Sequence, residues 1–137
     1  MRALVQRVTK ASVAVAGETA AEIGPGLVVL LGVSKEDDEA DAEYLVEKTA
    51  NLRVFADDEN RFNRSALDIG AEVLVVSQFT LYAETRKGRR PDFNQAAGPE
   101  NAKRLYEHTV RLFQDKGLKV NTGRFQEHVL VSLENDG

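Results

Sequence analysis

The run Leu27-Val-Val-Leu-Leu31, set in GLVVLLGV, leaves this chain the fewest choices. It offers water no polar face, so it reads as a strand buried on both sides. At five residues it is far too short to span a bilayer. A second core strand is carried by VLVVSQFTLY, Val73 to Tyr82, which starts apolar and ends in Ser77, Gln78 and Thr80 around Phe79.

The flanking sequence sorts into strands and two amphipathic helices. ALVQRVTKASVAVAGE alternates through Leu4, Gln6 and Val8 and then Val13 and Val15, the period of a strand. A helix is expected from about Glu36 to Leu52, with Ser34 as N-cap, Asp37 closing a capping box, and Ala42, Leu45, Thr49 and Leu52 on its inner face. LRVF reads as a short strand, and ADDENRFNRSALDIGAE as a polar loop or hairpin arm. The second helix, Glu100 to Lys116, has Pro99 at its first position, Gly117 at its end, and an inner face of Ala102, Leu105, Tyr106, Thr109, Leu112 and Phe113. LKVNTG and FQEHVLVSLEN close the chain as strands. The pattern is α/β, a single mixed domain over 1–137 with a mostly antiparallel β body and two helices.

Several chemistries are excluded or weakened. There is no cysteine, hence no disulfide, thiol catalysis or Cys-ligated zinc. GxSxG, HExxH, P-loop and GxGxxG patterns are all missing. The two histidines, His108 and His128, read as a solvated helix-surface residue and a residue on the second face of a strand. No metal or cofactor is expected. Strand alternation separates Ser77 and Phe79 from Gln78 and Thr80, unless the strand bulges or ends there. From pattern alone these polar groups finish a strand at its exposed end. Net charge is −4, yet Arg86, Lys87, Arg89 and Arg90 crowd into ETRKGRRP. That run reads either as a solvated loop or as a phosphate contact. A polar strand end with an aromatic ring beside basic residues suits a single-stranded RNA end.

Taken together the motifs resemble the D-aminoacyl-tRNA deacylases. VSQFTL is similar to that family's SQFTL signature and RKGRRPDF to its RKGxRPxF segment; IGPGLVVLLGV, LRVF, AAGPENAKRLYE, VNTGRF and LENDG follow in family order. The resemblance covers essentially the whole chain. It implies a cytoplasmic homodimer with active sites at the subunit interface. The implied reaction is hydrolysis of the ester joining a D-amino acid, or glycine mischarged on tRNA-Ala, to the tRNA 3′ end. It makes Ser77, Gln78, Phe79 and Thr80 the catalytic pocket, with backbone N–H groups near Gln78 and Phe79 as oxyanion donors. Arg7, Phe79 and Gly137 become substrate-binding positions, and Arg86, Lys87, Arg89 and Arg90 tRNA-binding ones.

Two departures accompany the resemblance. RFQEHV stands where the family has RFGADM. The family's chirality filter is a cis Gly-Pro in a Gly-Pro-Val-Thr motif after NDG, and this sequence stops at Gly137. The expectation is a sequence shortened before that motif and the final strand, rather than a protein lacking the filter. Two other readings remain: a non-catalytic nucleic-acid-binding dimer, and a related deacylase with another aminoacyl preference.

Overall fold

The structure, a computed structural model, describes residues 1–137. β1 (Arg2–Val15) runs beside β2 (Glu18–Ile23) and then β3 (Gly26–Gly32), all antiparallel. Ala11 opposite Ile23 and Val8 opposite Gly26 share one register, so β2 and β3 form one long arm broken at Gly24-Pro25. α1 (Glu39–Asn51) follows, then a hairpin of β4 (Phe55–Ala56) and β5 (Phe62–Arg64), then a short α2 (Ala66–Ile69). β6 (Glu72–Ser77) lies parallel to β3. A 3-10 turn (Phe79–Tyr82) and a long connection lead to α3 (Pro99–Asp115). β7 (Lys119–Thr122) pairs parallel with β6, and β8 (Val129–Asn135) antiparallel with the second half of β1.

β3 shows why a continuous apolar run was required. Its Leu27, Val29 and Leu31 pack with Val73 and Val75 of β6 beneath α1 and α3, against Val46, Ala50 and Phe113. The alternate residues Val28, Leu74 and Val76 face the other way and meet Val8, Ala11, Val13 and Ile23. Both faces are dry because β1 and β2 curl over the second one. Asn121 of β7 ties that curl, donating from Nδ2 to Glu22 O at 2.6 Å. The β3–β6 contact is so close that a Cβ on Gly26 would lie 1.9 Å from Glu72 O, which only glycine permits.

Several sequence-based boundaries move. α1 starts at Glu39, not near Glu36, and its capping box is Asp38 with Asp41. Ser34 and Asp37 do bond as a cap would, Ser34 N–H donating to Asp37 Oδ2 at 2.7 Å, but they close a separate turn. Asp37 is held there by the Met1 ammonium at 2.5 Å, in a pair almost closed to solvent. The buried face of α1 is Ala42, Val46, Thr49 and Ala50, while Leu45 is only half-buried and Leu52 is 41% exposed. LRVF contributes only Phe55 to a strand. The polar connection hides a third helix, α2, capped reciprocally by Ser65 and Asp68. His108 is half-buried, and its Nε2 is sealed from water with no partner, contrary to the solvated position expected. No helix is long and apolar enough to cross a membrane.

Candidate active site

β6 ends at Ser77, and the chain changes course one residue later. Gln78 N–H still donates to Leu31 O, at 2.7 Å, and closes the ladder on β3. Then Phe79–Tyr82 wind into the 3-10 turn. This turn lies hard against β3, since a Cβ on Gly32 would stand 3.1 Å from both Gln78 O and Leu81 Cβ. Strand alternation therefore stops just where the polar residues begin. Ser77, Gln78 and Phe79 all line one cleft, which an ideal strand would forbid.

That cleft has a volume of about 720 Å³, within the usual range for small-molecule sites. Three segments build it. The end of β6 gives Val76 to Phe79. The approach to α3 gives Phe93, Ala96 and Ala97, and its first turn Pro99 and Ala102. The segment from Gly123 into the start of β8 gives the third wall. The approach to α3 is pinned to the end of β3 by Ala97 N–H to Val33 O at 2.9 Å and Lys35 N–H to Gln95 O at 3.1 Å. The Phe79 ring is 55% exposed and meets Phe93 edge-on, centroids 5.1 Å apart. An aromatic ring steadied at its edge, with a face toward a cleft, can stack a planar ligand.

The polar chemistry of the site is sparse. Gln78 Nε2 donates to Thr80 Oγ1, so Thr80 stands beside the cleft, joined to Gln78, rather than on its lining. No hydrogen bond joins Ser77 or Thr80 to a histidine or carboxylate, so neither hydroxyl is activated as a nucleophile would be. Gln78 N–H is committed to β3, which leaves the Phe79 N–H, at the first position of its turn, without an intrahelical acceptor. The only ionisable side chains on the lining are Arg124, Glu127 and His128, all exposed and all from one turn. Gln126 in that turn has φ of +61°, a left-handed conformation uncommon for a residue with a side chain.

The other sequence-predicted residues lie elsewhere. Arg7 is anchored by its Nε to Asp136 O at 2.5 Å and by its guanidinium to Val54 O, under the Phe62 ring at 4.8 Å. Neither Arg7 nor Gly137 lines the cleft of this chain. Arg86, Lys87, Arg89 and Arg90 are exposed on a loop pinched off by the Glu84–Asp92 bridge, and none of the four lines the cleft, whose lining resumes at Phe93. Arg86 also faces Glu84 at 3.4 Å. Sequence reasoning did not single out Phe93 or Phe125 as site residues. It reached the charged turn through the RFQEHV departure, taken as a pocket wall, and through His128.

A cleft with an aromatic platform, a free backbone donor at a strand end and no nucleophile–base pair is suited to holding and positioning a ligand. Comparison with known proteins gives the chain its family. The description "D-Tyr-tRNA(Tyr) deacylase" matches residues 4–137. A protein of Symbiobacterium thermophilum called D-aminoacyl-tRNA deacylase is 58% identical over all of this chain and 91% of its own length. One of the same name from Bacillus licheniformis is 56% identical over all of this chain and 93% of its own. Among solved structures, one titled "c-Myc DNA Unwinding Element Binding Protein" superposes with a TM-score of 0.93 at 41% identity, covering 99% of this chain and 93% of its own. Another, titled as a probable eukaryotic D-amino acid tRNA deacylase, shares the fold at TM-score 0.81 and 16% identity, covering 97% and 92%. The chain belongs to the D-Tyr-tRNA(Tyr) deacylase family.

Proposed function

We propose that this protein hydrolyses the ester joining a D-amino acid to the 3′ end of tRNA, releasing the amino acid and reusable tRNA. The observation that carries this is 58% identity, over the whole chain, to a protein called D-aminoacyl-tRNA deacylase. The cleft geometry supports it. Phe79 offers a face for the terminal adenine, and Ser77 and the Gln78 amide offer polar atoms to the ribose and ester. The Phe79 N–H is the candidate donor to the oxyanion, the role for which a pre-aligned backbone N–H is suited. Thr80 acts through Gln78, whose amide it receives. Glycine, with no side chain to exclude, is a substrate on the same reading.

An aminoacyl ester is already activated, so positioning and oxyanion stabilisation supply enough. The group that orients the attacking water is then the substrate's own ribose 2′-OH, since neither Ser77 nor Thr80 is paired with a base. A D-tyrosyl-tRNA ending in 2′-deoxyadenosine, esterified at the 3′ position, is expected to bind normally and turn over at least a hundredfold more slowly. Full activity on it, or an acyl group trapped on Ser77 or Thr80, overturns the mechanism. Unmodified D-tyrosyl-tRNA must be cleaved for the function itself to stand.

The working unit on this reading is a cytoplasmic homodimer. Leu130 and Phe62, each 65% exposed, and Leu4 at 48% support a second copy as partner. Arg7 and Gly137 then serve the neighbouring subunit's cleft, and Arg86, Lys87, Arg89 and Arg90 meet tRNA phosphates. Sedimentation at micromolar concentration tests the dimer. A second reading, nucleic-acid binding without catalysis, draws on the 41%-identical structure titled as a DNA unwinding element binding protein. Tight DNA binding with no cleavage of D-tyrosyl-tRNA would favour it.

A further inference from the structure

Behind the charged turn lies a second groove, of about 430 Å³, between that turn and α3. Cleft and groove adjoin, with Gly123, Arg124, Phe125 and Glu127 as their common wall. Phe125 is the partition, set against Tyr106 of α3 with centroids 5.7 Å apart. Three cations line the groove: Lys103 and Arg111 from α3, and Arg124 from the turn. Lys103 and Arg111 are eight residues apart, which places them about 12 Å apart along the helix axis and roughly 80° apart around it, both within reach of the groove. Lys103 faces Glu107 only at 4.0 Å and Arg124 faces Glu127 only at 3.8 Å, both pairs in open solvent, where such contacts contribute little and exchange readily. Arg111 has no carboxylate partner in the structure. In a molecule of net charge −4, these cations gather on a groove that shares a wall with the cleft.

We propose that this groove binds the phosphodiester backbone of the nucleotides that precede the terminal adenosine, through Lys103, Arg111 and Arg124. The inference rests on the deacylase reading for what occupies the cleft, and it adds the path by which the RNA leaves it. A single strand seated in the cleft must emerge over one rim. The Arg86–Arg90 loop contributes no side chain to the cleft lining, whereas the turn belongs to cleft and groove at once. Arg124 would meet the first phosphate outside the cleft, and Lys103 and Arg111 those that follow along α3.

The test is the double variant Lys103→Ala/Arg111→Ala, which leaves every residue of the cleft lining untouched. Binding of a short single-stranded RNA with the terminal sequence of tRNA is measured by fluorescence anisotropy over a salt series, independently of catalysis. Cleavage of D-tyrosyl-tRNA and of D-tyrosyl-adenosine is measured alongside. The variant should bind the RNA at least tenfold more weakly, and its log affinity should fall less steeply with log salt, by roughly 0.7 per lost phosphate contact. KM for D-tyrosyl-tRNA should rise in parallel, while D-tyrosyl-adenosine is cleaved as before. Unchanged RNA affinity and salt slope overturn the groove and leave the deacylase reading standing. If the unaltered protein cleaves neither substrate, that reading falls, and the anisotropy result still decides the groove.

Discussion

Phe79 sits where two roles meet, its ring open to the cleft and its N–H at the start of the 3-10 turn. Replacing it by alanine removes the ring and keeps the N–H. Base–aromatic stacking is worth about 1–3 kcal/mol per base. Phe79→Ala should therefore raise KM for D-aminoacyl-tRNA by roughly ten- to a hundredfold while changing kcat far less. A collapse of kcat at unchanged KM would show instead that the ring shapes the donor. Sequence pattern could not assign these roles, because alternation put Ser77 and Phe79 on one face and Gln78 and Thr80 on the other. What it lacked was the end of β6 at Ser77, which depends on Gly32 admitting the turn against β3. That is a tertiary contact between residues far apart in the chain, and no local period encodes it.

Among the elements, the strands and α3 were the most legible, because burial repeats along them. α3 keeps its proline at N1, and Leu105, Tyr106, Thr109 and Phe113 on its buried face, as the helical period required. The start of α1 was not legible, since two cap sequences stand four residues apart. Ser34 with Asp37 and Asp38 with Asp41 both satisfy the spacing. The choice falls to Asp38 because Asp37 is drawn to the Met1 ammonium, again a long-range contact. Asp38 accepts from Ala40 N–H at 3.0 Å and Asp41 N–H at 3.2 Å. Asp38→Ala should consequently cost about 1 kcal/mol of unfolding free energy. Ser34→Ala should cost less, its Oγ accepting a long bond of 3.4 Å from Glu36 N–H. Denaturant midpoints of the two variants give the order, and a larger loss at Ser34 would return the cap to the earlier box.

At the scale of the whole molecule, the mixed α/β class could be read from the chain, but the sheet order could not. The parallel placement of β6 between β3 and β7 brings β6, α3 and the start of the charged turn together. Tyr106 reports on that junction. It is buried on the inner face of α3 and donates from its hydroxyl to Val75 O at 2.9 Å. Burial pushes its phenol up from 10.0 to about 12, against a hydrogen bond with Thr122 that lowers it and with a lesser upward push from Glu107. The folded value is the raised one, so this contribution to stability is intact below pH 10 and is lost as pH rises toward 12. Over that window the unfolded chain releases a proton that the folded chain retains. The slope is about 1.4 kcal/mol per pH unit, and the total roughly 3 kcal/mol. Tyr106→Phe forfeits a buried hydrogen bond, worth about 1 kcal/mol at neutral pH. It should then lose distinctly less stability than the unaltered protein between pH 9 and pH 11.5, measured by urea unfolding. An equal alkaline loss in both proteins would move the sensitivity to other groups, of which Tyr82, also raised chiefly by burial, is the first to substitute.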